Sequence, residues 1–311
     1  MVTSIKNLPS DEFVLQGNSS CAGCSAILAL RIVGKALGPN AMCILTPSCM
    51  VASMGLTPKT AYNWPCLNIC FATAGASASG LVYALEALEK KGRLKGEMPT
   101  VFNWVGDGGT YDIGLQAISA AAERNDNFIH ICYNNEAYSN TGVQRSGATP
   151  LYAYSTTTPG GKKEPQKSMP RLMLEHRIPY MATAAVSHPG DLYDKVVKAK
   201  NTKGFKYIEI FVPCWPGWRF ASSQAVAVSK MAVNSGSWLL WEAENGKVEF
   251  SAPSKRILDG KVEKTPMKDY LALQGRFAKV LKSPDAEAKL AEIQAEVDHE
   301  IEFMKKRAEI Y

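Results

Sequence analysis

Apolar positions follow two alternating patterns along most of the chain. Longer segments carry helical periodicity, and short continuous apolar blocks lie between them. Ser25 to Leu37 is rich in Ala, Leu, Ile and Val and closes on Gly38-Pro39, which predicts a buried helix. Met42 to Leu45 reads as a short strand. Ala74 to Lys91 reads as a helix whose Gly75, Ala76, Ala78, Gly80 and Ala84 permit close packing. A strand over Val101 to Val105, a helix over Ile113 to Arg124 and a strand over Phe128 to Tyr133 follow. Strand, glycine-rich turn, helix and strand in that order form a βαβ unit, so the fold class is α/β, a parallel sheet flanked by helices. Residues 134–168 are polar and rich in Gly, Thr and Pro, and a loop of that length is functional or mobile. The alternation resumes with a helix (Arg171 to His176), a strand (Tyr180 to Ala185), a helix (Gly190 to Lys200) and a strand (Tyr207 to Val212).

After about residue 235 the pattern changes. Trp238 to Phe250 resembles a hairpin turning at Glu244-Asn245-Gly246, and two helices follow. Ser283 is the expected N-cap of the last, with Pro284 in its first turn. Ala286, Leu290, Ile293, Val297, Ile301 and Met304 make one apolar stripe, fit to pack on the parent domain or on a partner. The expected division is therefore residues 1–235 as an α/β domain and 236–311 as a C-terminal hairpin and helical extension. No internal repeat or low-complexity tract is present.

The chain of 311 residues contains no apolar run able to span a bilayer, and Met1 to Phe13 lacks the charged-then-apolar order of a secretory signal. A cytoplasmic protein with no membrane association is expected. The net charge of +6 comes from scattered residues and small clusters such as Lys162-Lys163, without a basic stripe interleaved with aromatics. That argues against nucleic-acid binding and suits anionic substrates, cofactors or acidic electron carriers.

The candidate chemistry lies in two constellations. Gly106-Asp107-Gly108-Gly109-Thr110 joins a strand to a helix, where backbone amides favour a phosphate. Asp107 would repel that phosphate unless a hard cation stood between them, and magnesium takes oxygen ligands of this kind. Asn135 stands 28 residues on, just past the next strand, and parallel neighbouring strands bring their C-terminal ends together. A glycine turn with a helix-capping aspartate is the plain alternative. The second constellation is Cys21-Ala22-Gly23-Cys24, a spacing shared by redox dithiols, zinc sites and iron–sulfur sites. Cys49 follows in Thr46-Pro47-Ser48-Cys49, and Cys214 in Val212-Pro213-Cys214-Trp215-Pro216. Cys43, Cys66, Cys70 and Cys132 read as buried thiols. His130 reads as a strand residue, and His176, His188 and His299 as surface or helix-end residues.

The stretch from Gly106 to Gly114, with Asn135-Glu136-Ala137-Tyr138-Ser139-Asn140-Thr141-Gly142 and Gln144-Arg145-Ser146-Gly147-Ala148-Thr149-Pro150, resembles the thiamine-diphosphate subunit of 2-oxoacid:ferredoxin oxidoreductases. The likeness runs from about residue 15 to residue 280 and is greatest to the separate beta subunits of pyruvate-type enzymes. It implies the thiamine-diphosphate-binding fold. It also implies that Gly106, Asp107, Gly108 and Gly109 cradle the cofactor. Asp107 and Asn135 would hold magnesium through side chains and Ala137 through its carbonyl. Asn140, near the diphosphate and the reactive ring, would be the catalytic candidate. The same resemblance assigns Cys21, Cys24, Cys49 and Cys214 to one 4Fe-4S cluster, a use that thiolate-only ligation suits. It implies oxidative decarboxylation of a 2-oxoacid, electrons passing through the cluster to ferredoxin, and alpha and gamma/delta partner subunits without which this chain is inactive.

Three departures from the family pattern bear on the substrate. Pro47-Ser48-Cys49 stands where many relatives read Thr-Gly-Cys, and Trp215-Pro216-Gly217-Trp218 differs from the usual segment after the cysteine. Ala72-Thr73 follow Phe71 where an acidic residue and an asparagine are common. A missing carboxylate favours a more negative substrate, so the expectation is oxalate, with pyruvate and coenzyme A as the alternative. Two rivals lie outside this activity: a non-oxidative thiamine decarboxylase or synthase, and a zinc-binding scaffold subunit.

Overall fold

In the computed structural model, which describes residues 2–56 and 58–310, eight strands form one sheet. They are β1 (Ala41–Leu45), β2 (Cys66–Asn68), β3 (Thr100–Gly106), β4 (Ile129–Asn134), β5 (Tyr180–Ala185), β6 (Lys206–Phe211), β7 (Trp241–Glu244) and β8 (Lys247–Phe250). The spatial order is β2-β1-β3-β4-β6-β5-β7-β8. The first six strands run parallel, and the last two are antiparallel at one edge.

Both faces of the parallel strands are covered, which is why their sequences are continuously apolar and do not alternate. Successive residues still point to opposite faces. Phe102, Trp104, Ile129 and Ile131 pack with the helices Ser25–Leu37 and Pro189–Asn201 on one side. Val101, Cys132 and Tyr207 pack with Ala74–Lys90 and Leu115–Glu123 on the other. A third apolar cluster joins the far end of the sheet to the C-terminal segment through Phe211, Trp218, Leu271 and Phe277. Among the described residues no helix is long and apolar enough to cross a membrane.

The structure departs from the sequence pattern at informative places. The helix expected from Ile113 opens earlier, with a wide π-helical turn over Gly108–Ile113, and becomes α-helical at Leu115–Glu123. Glycine permits this, because a Cβ on Gly108 would run into the Tyr138 ring and one on Gly109 into Val105. Such π turns recur at functional sites. Ser283 is not the cap of the last helix. Its hydroxyl donates to Val280 O (2.7 Å), and the helix, Ala286–Glu309, starts after Asp285. Its apolar stripe packs on the parent chain: Ile293 and Met304 are buried, and Leu290, Val297 and Ile301 partly so. Of the four cysteines read as core thiols, Cys43 and Cys132 are buried, but Cys66 is half-buried and Cys70 exposed. Both lie on or just after the edge strand β2, which is too short to announce itself by periodicity.

The ordinary charge pattern hides one cost. Lys206 opens β6 almost fully buried, its ammonium donating to Asn127 Oδ1 (2.8 Å). Burial pushes its pKa down to about 7. Above that pH the folded state sheds a proton that the unfolded lysine keeps, so this residue makes stability rise with pH from about 7 towards 10. Lys206→Met should flatten that rise in urea midpoints taken at several pH values. An unchanged slope would contradict it.

Candidate functional site

The strand order reverses beside β1, which pairs with β2 on one side and β3 on the other. Open α/β sheets bind ligands at the carboxyl ends of strands beside such a reversal. Three segments meet there: Thr46-Pro47-Ser48-Cys49 after β1, Gly106-Asp107-Gly108-Gly109 after β3, and Asn134-Asn135 after β4. The register pairs Gly106 with Tyr133, so the two site segments leave their strands at one level.

Asp107 is fully buried. Its Oδ2 accepts from Ser146 Oγ (2.6 Å) and its Oδ1 from the Asn135 N–H (3.3 Å). Burial is the main influence on this carboxyl and, with the nearby Glu136 charge, lifts its pKa to about 8 against the pull of the hydrogen bonds. The Asn135 Oδ1 lies 3.2 Å from Asp107 Oδ1 and 2.8 Å from Ala137 O. A half-turn of the amide would make its nitrogen a donor to both. Unrotated, the Asn135 amide oxygen, which accepts from Ser139 Oγ (2.8 Å), meets the Asp107 and Ala137 oxygens with no N–H between them. Octahedral magnesium, with ligands at about 2.0–2.1 Å, sets neighbouring oxygens roughly 3 Å apart. The arrangement therefore fits such an ion, whose charge would also replace the proton that burial forces onto Asp107.

The backbone between Asn135 and Ala137 is sharply bent. Glu136 has φ 60°, a left-handed conformation unusual for a side chain of its size. The bend aims the Asn135 side chain and the Ala137 carbonyl at the same point. Asn134 Oδ1 accepts from the Glu136 N–H (2.9 Å), and Thr149 Oγ1 donates to the Glu136 carbonyl (2.7 Å). Tyr138 Oη donates to Gly108 O (3.1 Å), closing the glycine turn onto the same loop. Phe71 packs edge-on against Tyr138 (centroids 6.0 Å apart). Asn140 is exposed on the tight turn between the bridged residues Tyr138 and Gln144.

The Cys21-Cys24 pair, Cys49 and Cys214, three separate stretches of sequence, border one cavity of about 230 Å³ together with Asn135 and Asn140. Cys24 and Cys214 cap the helices Ser25–Leu37 and Trp215–Trp218, and Cys49 begins the helix Cys49–Met54. Helix N-termini favour thiolates. Against that, burial and then the neighbouring thiols push Cys49 up to about 12. Four thiolates would coexist here only around a positive core. Among the described residues no three His, Cys, Asp or Glu side chains converge as one small metal ion needs.

Several supporting residues escaped the sequence reading. His130, fully buried, stands between Asn103 Nδ2 and Thr110 Oγ1 (3.1 Å each). Asn103 is the donor there, so the His130 Nε2–H donates to Thr110 in the glycine turn. Burial lowers its pKa to about 3, so it stays neutral. Glu209, in the centre of β6, accepts from Tyr111 Oη, Tyr207 Oη (2.6 Å) and Asn134 Nδ2 (2.7 Å). Burial raises its carboxyl. The readable signal was a His or Glu flanked on both sides by apolar residues within a covered strand, since a buried polar group needs partners.

Comparison with known proteins agrees with this geometry. Residues 48–210 match the family described as thiamine pyrophosphate enzyme, C-terminal TPP binding domain. The chain is 42% identical over 275 residues to pyruvate synthase subunit PorB of Methanothermobacter thermautotrophicus, spanning 87% of this chain and 91% of the relative. It is 40% identical over 310 residues to ketoisovalerate oxidoreductase subunit VorB of Pyrococcus horikoshii, spanning 98% and 96%. A solved 2-oxoglutarate:ferredoxin oxidoreductase from Magnetococcus marinus shares the fold, with TM-score 0.56 and 19% identity over 74% of this chain and 84% of that one.

Proposed function

The chain belongs to the thiamine-diphosphate-binding beta subunits of the 2-oxoacid:ferredoxin oxidoreductases, and we propose that its complex acts on pyruvate or a close 2-oxo monocarboxylate, with coenzyme A as acyl acceptor. It works as one subunit of a multi-subunit enzyme. The observation that carries the cofactor reading is the approach of the Asn135 side-chain amide to both Asp107 Oδ1 (3.2 Å) and Ala137 O (2.8 Å), close to the oxygen–oxygen spacing of a magnesium shell. The backbone N–H groups of Gly108 and Gly109, at the start of the helical turn, would receive the diphosphate. Ser146 and the Asn135 N–H fix the carboxylate that would face the ion. When bound, thiamine diphosphate supplies a nucleophilic carbon and an electron sink for decarboxylation.

Cys21, Cys24, Cys49 and Cys214 are our candidates for a 4Fe-4S cluster. Support comes from their common cavity and from its shared wall with Asn135 and Asn140. A non-oxidative thiamine enzyme would have no use for that arrangement. Ferredoxin is the expected acceptor, and the reducing cytoplasm the expected setting for eight free thiols. Asn140 is exposed and borders the same cavity as Asn135, and we assign it a role in orienting the substrate.

The oxalate expectation is not supported. The relatives at about 40% identity are named for pyruvate and ketoisovalerate. The loss of an acidic residue at Ala72 is thus better read as a change of pocket shape in a monocarboxylate enzyme. The test is viologen or ferredoxin reduction by the anaerobically assembled complex. Coenzyme-A-dependent turnover of pyruvate or 2-oxoisovalerate is expected, with none of oxalate. Turnover of oxalate without coenzyme A would overturn this reading.

A further inference from the structure

We infer that Arg276, from the C-terminal extension, is a positioning residue that locks the magnesium loop and the Cys214 helix to each other through Glu136 and Trp218. The inference rests on the cofactor reading above.

Arg276 is remote in sequence from both constellations, yet it meets both. Its guanidinium pairs with the Glu136 carboxylate, and the two side chains are only 3% and 6% exposed. The same guanidinium lies 3.6 Å over the Trp218 ring. Trp218 in turn donates from Nε1 to the Asn135 carbonyl (2.8 Å). Arg276 thus holds the backbone on both sides of the Asn135–Glu136 peptide, one side through a carboxylate and the other through an indole. Trp218 closes the helix that Cys214 caps, so the indole is also the last residue of a cluster-candidate turn. The segment is tied down independently, because the Gly275 N–H donates to Arg219 O (3.3 Å) just past that helix. The Tyr154 N–H donates to Arg276 O (3.0 Å) from the long loop.

A plain structural staple would not need this chemistry. Buried ion pairs contribute little net stability compared with apolar side chains of similar volume, and their best-attested use is to fix one arrangement among several. The arrangement fixed here is the left-handed bend at Glu136, which aims two magnesium-facing oxygens at one point. Released, the bend would relax towards ordinary backbone, and Asn135 and Ala137 would diverge. The cysteine cavity would feel the same release through Trp218. Guanidinium geometry matters, since one flat cation must pair with a carboxylate at its edge while stacking its face on a ring.

The test uses the full complex, stripped of magnesium and thiamine diphosphate, carrying Arg276→Met. Affinity for thiamine diphosphate at saturating magnesium is measured by calorimetry, and the reduced complex is examined by electron paramagnetic resonance and redox titration. Support for a ligand from outside its own contact shell typically changes affinity by about 10–100-fold. That weakening is expected, together with a shifted spectrum or midpoint potential. Arg124→Met is the control: Arg124 also pairs with a buried carboxylate, Asp126, but ahead of β4, at the opposite end of the sheet from the site. It should change neither readout. Should Arg276→Met fail to assemble, two variants decide. Glu136→Gln with Arg276→Met leaves no orphaned charge, and Trp218→Phe keeps the ring but loses the donor to Asn135. Each should reproduce both effects. Unchanged affinity and spectrum, with only a lower melting temperature, would overturn the inference and leave the cofactor reading intact. No magnesium-dependent binding by the unsubstituted complex would overturn both.

Discussion

Asp107→Asn is expected to abolish magnesium-dependent binding of thiamine diphosphate while making the cofactor-free chain more stable. The two halves have one cause. The carboxyl is completely buried, and burial lifts its pKa from the ordinary 3.8 to about 8. Between those values the folded state keeps a proton that the unfolded state gives up, so stability falls as pH rises. At pH 7 that loss is on the order of 4 kcal/mol. A bound divalent ion would reverse the sign by favouring the carboxylate, releasing close to one proton per site at pH 7 and binding more tightly as pH rises towards 8. Asparagine keeps an oxygen for the Asn135 N–H and a polar group for Ser146, but not the charge that makes the pocket a cation site. The checks are a thermal scan of the metal-free chain at pH 8, calorimetry with magnesium and thiamine diphosphate, and proton release compared across buffers. A variant that binds the cofactor normally, or a metal-free variant that melts lower than the parent, would show that Asp107 does not play this part.

The parallel sheet and the glycine turn were legible because both leave local marks. Continuous apolar blocks mark strands covered on both faces, and Gly-Asp-Gly marks a turn pressed against something. The long loop after β4 was legible as a family motif and a set of candidate ligands, but not in how it folds onto the site. Its work is done by pairings across the fold: Thr149 to Glu136, Ser146 to Asp107, Trp218 to Asn135. Such pairings carry no period in sequence. The Cys21-Cys24 pair was visible as a motif, but nothing local ties it to Cys49 and Cys214, which the sheet brings together from the ends of β1 and β6. The cap assigned to Ser283 failed for a related reason. Cap preference is a local bias, and the carbonyl of Val280 was a competing local partner. Ala72 misled in another way. A single missing charge was read as substrate chemistry, although a pocket rim is built from many residues.

Cys49→Ser should empty the cluster site while leaving the magnesium site working. Cys49 begins the short helix after β1 and faces the cavity that Cys21, Cys24 and Cys214 also border. Its pKa near 12 reflects burial first and the neighbouring thiols second. In a chain without iron, then, this thiol is protonated and unreactive at neutral pH. A thiolate here exists only when iron offsets its burial and the charges of its three neighbours. Serine offers a harder donor, poorly suited to thiolate-ligated iron. Asp107, Asn135 and Ala137 make no hydrogen bond to Cys49 in the structure described, so cofactor affinity should stay within a few-fold of the parent, well below the roughly 10–100-fold cost typical of a ligand's supporting shell. Ferredoxin reduction should fall to background, because electrons leaving the substrate would have no acceptor beside them. Three measurements on the anaerobic complex decide it: iron and sulfide content, the reduced-state spectrum, and thiamine diphosphate affinity. Retained iron with an unchanged spectrum would remove Cys49 from the ligand set. One zinc per chain in the unsubstituted protein, without iron, would replace the cluster by a structural metal and break the proposed electron path at its first step.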